Sequence, residues 1–170
     1  TLSFSESKVA TFPLEKFTLS WYKLLLQNQS ILTAFKNTLI IGFSTTISSA
    51  IISVYTAVLL HHHKIRLSFL YQTLIILPFL LPGIFTGLAL LLFFSSIQIP
   101  KSLFTVFIGH TVFCSGVIFK TVQSRLAVVS KNLEEASYDL GANTIQTFFY
   151  VTLPNILAAV ISGCLMAFVL

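Results

Sequence analysis

The 170 residues are 55% hydrophobic and only 9% charged, with a mean hydropathy of +0.91. A soluble domain carries roughly 25% charged residues, so this composition excludes an ordinary water-soluble globule and implies an all-α, polytopic transmembrane helix bundle with the lipid bilayer as its surroundings. The net charge of +5 is spread too thinly to form the basic patch that a nucleic-acid partner needs.

Residues 1–30 are polar and mixed in charge, with too few apolar residues for a span. Within them FTLSWYKLLL (17–26) groups Trp21, Tyr22 and several leucines, the composition of a short helix lying at a membrane interface. No signal peptide opens the chain and no initiator Met is present. The last residues, LMAFVL, stop inside an apolar run, so the chain is expected to be a fragment, incomplete at both ends.

The first expected span covers 31–60, and from Asn37 to Leu60 it has no charged side chain. Thr45, Ser49 and Ser53 recur every four residues, a small-residue ridge that lets another helix approach closely. A polar stripe lining a pathway is the weaker reading of the same spacing. HHHKIR (61–66) closes the span. Adjacent histidines on a helix or strand do not converge on one ion, so a wet interfacial loop is favoured over a metal site.

Residues 67–99 contain no Asp, Glu, Lys or Arg. A straight helix of that length would rise about 50 Å, against a hydrocarbon core of about 30 Å. The element must bend or leave the core, and Pro78, Pro82, Gly83 and Gly87 mark the place. Broken helices at membrane depth survive where protein or a cavity covers the freed backbone. Residues 78–87 are therefore pathway-lining candidates, with a kinked packing helix an equal alternative. A third span, 102–122, lies between Lys101 and the loop beyond Lys120 and carries His110 near its middle, either a functional ionisable group or a hydrogen-bonded neutral one. Cys114 and Cys164 both sit in apolar runs and read as packing residues.

Residues 123–154 form a long loop that reads as folded, and 155–170 open a fourth span. Asn132 and Glu135 have capping-box spacing, and Glu134 and Glu135 suit the positive end of a helix. Leu133, Ala136 and Leu140 share one face. Gly141 ends the helix where a left-handed residue is tolerated. Thr144 is placed to cap a second short helix carrying Ile145, Phe148 and Phe149, and Pro154 suits the first turn of the next long helix. Two short helices bent at a glycine make an exposed knob.

Glu135, Ala136 and Ser137 are followed by Gly141 after three residues, and by Val151, Leu153 and Pro154 after nine more. This spacing resembles the EAA loop of permease subunits of binding-protein-dependent ABC importers. Ser137 replaces the second alanine of that pattern and Val151 its isoleucine. FTLSWYKLLLQN, SIQIPKSLF, GHTVFC with His110, and KTVQSRL are similar to the second permease of spermidine/putrescine importers. Departures from that branch are Ser53 for a glycine, Ser115-Gly116 for a proline, and Gly83 where an acidic residue often stands.

The resemblance implies a type I importer permease lacking one helix at each end. Its cytoplasmic coupling helix would dock on a separate ATPase through Glu134, Glu135, Ala136, Ser137, Asp139, Leu140, Gly141, Leu153 and Pro154. It also implies residues 1–30 on the periplasmic side, a second permease subunit and a periplasmic substrate-binding protein as partners, and a place in the bacterial inner membrane. Basic residues are almost evenly divided between the two sides, so orientation rests on the resemblance rather than on charge.

No catalytic, cofactor or metal set is evident, and G-x-x-x-x-G-K-[ST] is absent, so ATP would be hydrolysed by another chain. All five carboxylates, Glu6, Glu15, Glu134, Glu135 and Asp139, lie outside the apolar runs. A polyamine would meet aromatic rings and hydroxyls in the spans, with Pro78, Pro82, Gly83, Gly87 and His110 as pathway candidates. The alternative is a secondary carrier or channel subunit using His110 and the broken 67–99 element.

Overall fold

The structure, a computed structural model, describes Phe4, residues 17–62 and residues 68–170. Glu6 and Glu15, and His63, Lys64 and Arg66 of the HHHKIR segment, lie outside the described residues. The helices run in the order α1 (Ser20–Gln27), α2 (Gln29–His62), α3 (Ser68–Leu80), α4 (Gly83–Ser96), α5 (Leu103–Leu126), α6 (Lys131–Asp139), α7 (Thr144–Thr147), a π-turn (Phe148–Thr152) and α8 (Leu153–Val169). Among the described residues three runs are long and apolar enough to cross a bilayer: Gln29–His62, Leu103–Leu126 and Thr144–Val169. The pair α3 and α4, bent by 107°, is a fourth candidate.

The chain divides into two compact units, Thr1–Ile40 and Ile41–Leu170. In the first, α1 buries no side chain. The Thr18 N–H donates to the Phe4 carbonyl at 2.8 Å, and the Phe4 and Tyr22 rings lie 5.6 Å apart. Asn28 starts α2, its Oδ1 accepting from the Ser30 and Ile31 N–H groups at 3.1 and 3.3 Å. That is the role a short amide side chain plays at a helix N-terminus.

In the second unit α5 is the spine. It buries ten residues between Thr105 and Leu126, six of them consecutive from Cys114 to Phe119, against Ala57 of α2 and Ile156 and Ala167 of α8. Helix crossings in this core rely on small residues. A Cβ on Gly116 would lie 2.8 Å from Phe79 Cβ and 3.0 Å from the Ile75 carbonyl of α3. One on Gly163 would lie 2.8 Å from Thr121 Oγ1 and 3.2 Å from Ile118 Cα. The Thr45, Ser49, Ser53 ridge is fully turned inward, and both serines hydrogen-bond to backbone carbonyls of α5. The packing reading of that ridge is the one the structure adopts.

The 67–99 element is two helices. Pro78 sits inside α3, Pro82 is the extended residue at the break (φ −53°, ψ 129°), and Gly83 opens α4. Pro82 has no N–H to offer the carbonyl four residues back. The Thr86 hydroxyl takes that place, donating to the Pro78 carbonyl at 3.1 Å. Gly87 lies within α4, away from the bend itself.

Two expectations in the 123–154 segment are corrected. Helix α6 begins at Lys131 after Ser130, so Asn132 is already inside it and forms no capping box with Glu135. The second short helix is capped by Asn143 rather than Thr144. Asn143 Oδ1 accepts from the Gln146 N–H at 2.9 Å, and Gln146 Oε1 accepts from the Asn143 N–H at 2.8 Å. Helical backbone runs unbroken from Thr144 through the π-turn to Val169, and Pro154 stands in the first turn of α8, where the sequence places it. The π-turn, with the Leu153 N–H reaching the Phe148 carbonyl, ends two residues before Pro154. Its wider winding gives the proline ring room that an α-turn would deny it.

Candidate functional site

Two places gather the residues singled out in the sequence. The first is a cleft of about 490 Å³ between α4 and α5. Gly83, Gly87 and His110 all line it, with Thr86, Phe113 and Lys101 nearby. Pro78 and Pro82 are not among its lining residues; they shape the bend above it. His110 is exposed on α5. The cleft holds no carboxylate and one lysine, which makes it unsuited to hold a polycation tightly by charge.

The second place is the module formed by α6, α7 and the π-turn. Its turn is a complete Schellman motif. Gly141, at φ +87°, donates to the Tyr138 carbonyl at 2.9 Å, and the Ala142 N–H donates to the Ser137 carbonyl at 3.0 Å. A left-handed residue is required here, and glycine adopts that backbone without Cβ strain.

Helix α6 packs by a different side from the one its apolar residues suggest, about a quarter turn away. Glu134 is buried, and its Oε1 accepts from the Thr152 hydroxyl at 2.6 Å. Its Oε2 lies 3.5 Å from His62 Nδ1, at the end of α2. One turn on, the hydroxyls of Ser137 and Thr147 are hydrogen-bonded at 2.7 Å, and Ser137 also donates to the Glu134 carbonyl at 2.9 Å. Thr147 and Thr152 are each only 1% exposed. The module therefore rests on a sealed polar core, and hydrogen bonds satisfy the buried groups whose desolvation would otherwise be costly.

Outside that core the named residues divide cleanly. Leu133, Glu135, Ala136, Asp139 and Leu140 are exposed, with Leu140 at 90%. Ile145, Phe149 and Tyr150 extend the exposed apolar surface along α7 and the π-turn. Glu134 and Ser137 face inward instead, while Leu153 and Pro154 belong to the first turn of α8. Below the module, the Arg125 Nε–H donates to the Asn155 carbonyl at 3.0 Å, tying α5 to α8.

Sequence reasoning missed His62, Thr147 and Thr152 as members of this cluster. The available signal was the pair of threonines five apart in the otherwise apolar QTFFYVT, the kind of hydroxyl that seeks a partner in a dry setting. Among the described residues no group of three His, Cys, Asp or Glu could hold a metal ion.

The geometry defines a multi-helix membrane protein with a rigid, outward-facing two-helix module between its last two long helices. Residues 49–170 match the model of the family described as "Binding-protein-dependent transport system inner membrane component". The chain belongs to this family, and is thus an inner membrane component of the multi-pass kind. It is 33% identical, over a 175-residue alignment, to the putrescine transport system permease protein PotI of Escherichia coli (strain K12), covering 99% of this chain and 62% of that one. It is 29% identical over 154 residues to the spermidine/putrescine transport system permease protein PotC of the same strain, covering 91% and 58%. A PotC homolog of Mycoplasma pneumoniae is 31% identical over 136 residues, covering 78% and 48%. The chain spans less than two thirds of the length of these relatives. Neither family nor relatives lend support to the secondary-carrier alternative.

Proposed function

We propose that this chain is the membrane-spanning permease subunit of an ATP-driven polyamine importer, coupled to a separate ATPase through the α6–α7 module. The partners would be that ATPase, a second permease subunit and a periplasmic substrate-binding protein. The single observation that carries the reading is the module itself: a helix ended by a left-handed glycine, bonded inward by Glu134 and Ser137, with Leu133, Glu135, Ala136, Asp139 and Leu140 turned outward. Apolar residues ringed by charge make a protein-docking surface. The polyamine reading is supported by the names of PotI and PotC.

In this proposal α2, the α3–α4 pair, α5 and α8 cross the membrane and the module lies in the cytoplasm. Closure of the ATPase on ATP displaces α6, and the spans bonded to it tilt between inward- and outward-facing arrangements. The chain does no covalent chemistry. The cleft with Gly83, Gly87 and His110 offers hydroxyls and rings but no fixed negative charge, and Lys101 opposes tight holding of a cation, which fits brief passage with selectivity set by the binding protein.

The test is uptake of labelled putrescine and spermidine by vesicles holding the full-length permease with its genomic partners. ATP-dependent uptake that vanishes on deleting the ATPase is expected. Uptake that persists without the ATPase would overturn the reading.

A further inference from the structure

We propose that Glu134 is a positioning residue of the transport cycle, locking α6 at once to the base of α8 through Thr152 and to the end of α2 through His62. The inference rests on the importer reading above and deepens it: Glu134 does not touch the ATPase but determines where displacement of α6 goes.

Three observations converge. Glu134 is the one buried carboxyl-bearing residue among the described residues, whereas its neighbour Glu135 is exposed. Its two oxygens engage different helices, Thr152 at 2.6 Å and His62 at 3.5 Å. The Ser137–Thr147 pair, at 2.7 Å, closes a second bond on the same face one turn away. An apolar side chain at 134 could fill the same space, but it would not fix orientation; a directional bond to Thr152 and a polar contact with His62 do. A helix docked only by greasy contact could slide or roll when pushed. One hydrogen-bonded to Thr152 at the start of α8, with its second carboxyl oxygen set against His62 at the end of α2, carries both elements with it.

The test uses the full-length permease assembled with its partners in proteoliposomes, with putrescine as the transported probe. Three quantities are read for each variant: ATPase retained on purification, ATP hydrolysed, and putrescine moved per ATP. Glu134→Ala is expected to retain the ATPase and hydrolyse ATP while putrescine moved per ATP falls about tenfold. Glu134→Gln, which still accepts from Thr152, is expected to restore most of that ratio. Thr152→Val removes the 2.6 Å bond at constant volume and should lower the ratio in the same direction. It also stands in for Glu134→Ala if that variant does not reach the membrane.

Wild-type transport per ATP in Glu134→Ala or in Thr152→Val overturns the inference while leaving the importer reading intact. So does loss of the ATPase itself from Glu134→Ala with Thr152→Val unaffected, which would make Glu134 a residue of assembly or docking. A wild-type complex that neither binds the ATPase nor moves putrescine with ATP overturns the importer reading, and this inference with it.

Discussion

The Ser53 hydroxyl donates to the Ser115 carbonyl at 2.8 Å, and one turn earlier Ser49 donates to the Thr111 carbonyl at 3.2 Å. Both serines are fully buried. The pair fixes the register of α2 against α5, because each hydroxyl needs a carbonyl at one height along the neighbouring helix. Ser53→Ala should cost about 0.6–1.7 kcal/mol, the range of inter-helix hydrogen bonds in membranes. Ser53→Leu should cost far more, since the backbones can no longer approach. Thermal unfolding of the purified complex in detergent measures both; equal midpoints for the two variants would show that closeness does not matter here.

Glycines separate into two groups that should behave differently. At Gly116 and Gly163 an added Cβ meets atoms 2.8 Å away, in the first case with α3 backbone at 3.0 Å as well. At Gly83 and Gly87 nothing lies within 4 Å. Gly116→Val and Gly163→Val are expected to cost about 1–3 kcal/mol or more by overpacking and to lower the amount of protein in the membrane. Gly83→Ala and Gly87→Ala should leave that amount unchanged. If all four variants accumulate alike, the α3–α5 and α5–α8 crossings are not as tight as the structure has them.

Much of this architecture was legible in the residues, and the parts that were not share a cause. The hydroxyl ridge at 45, 49 and 53, the break near Pro82 and the left-handed stop at Gly141 are each local: a spacing, a missing N–H, a missing Cβ. The packing side of α6 is not local. Periodicity states that Leu133, Ala136 and Leu140 share a face, but not that this face is buried, and the structure buries Glu134 and half-buries Ser137 instead. Thr152 and His62 became visible only once folding brought them to the Glu134 carboxyl, and Thr147 once it met Ser137. The caps moved for a similar reason: Ser130 and Asn143 flank α6 and α7 because the Schellman turn and the polar core set where the helices lie.

Thr86 offers a test of the broken element. Its hydroxyl at 3.1 Å supplies the Pro78 carbonyl with the donor that Pro82 lacks. Thr86→Val keeps the shape and removes the donor, so a cost of about 0.5–1.5 kcal/mol in unfolding free energy is expected. Thr86→Ser, which keeps the hydroxyl, should recover most of it. Equal stability of Thr86→Val and wild type would show that the carbonyl finds another partner.

Gly141 has φ +87° with no atom near its would-be Cβ, so substitution there strains the backbone rather than the packing. Gly141→Asn should be tolerated, and Gly141→Val should cost about 1–2 kcal/mol, since a branched side chain opposes the left-handed region. The same order is expected in ATP-dependent uptake: wild type, then Asn, then Val. Transport and ATPase stimulation unchanged in Gly141→Val would count against the module as the coupling element.

Leu140 is the sharpest probe of docking, because it is 90% exposed and contributes nothing to the core. Burying a leucine against a partner is worth about 1.5–3 kcal/mol. Leu140→Asp should therefore lower retention of the ATPase on purification by about tenfold or more. An acid at the end of α6 also opposes the helix dipole, by about 0.3–1 kcal/mol, and that alone could loosen the module. Leu140→Lys removes the same apolar surface while favouring the helix end, so it separates the two causes. Loss of the ATPase in both variants identifies Leu140 as part of the contact. Loss in Leu140→Asp alone identifies helix stability, and retention in both would move the docking surface away from this end of α6.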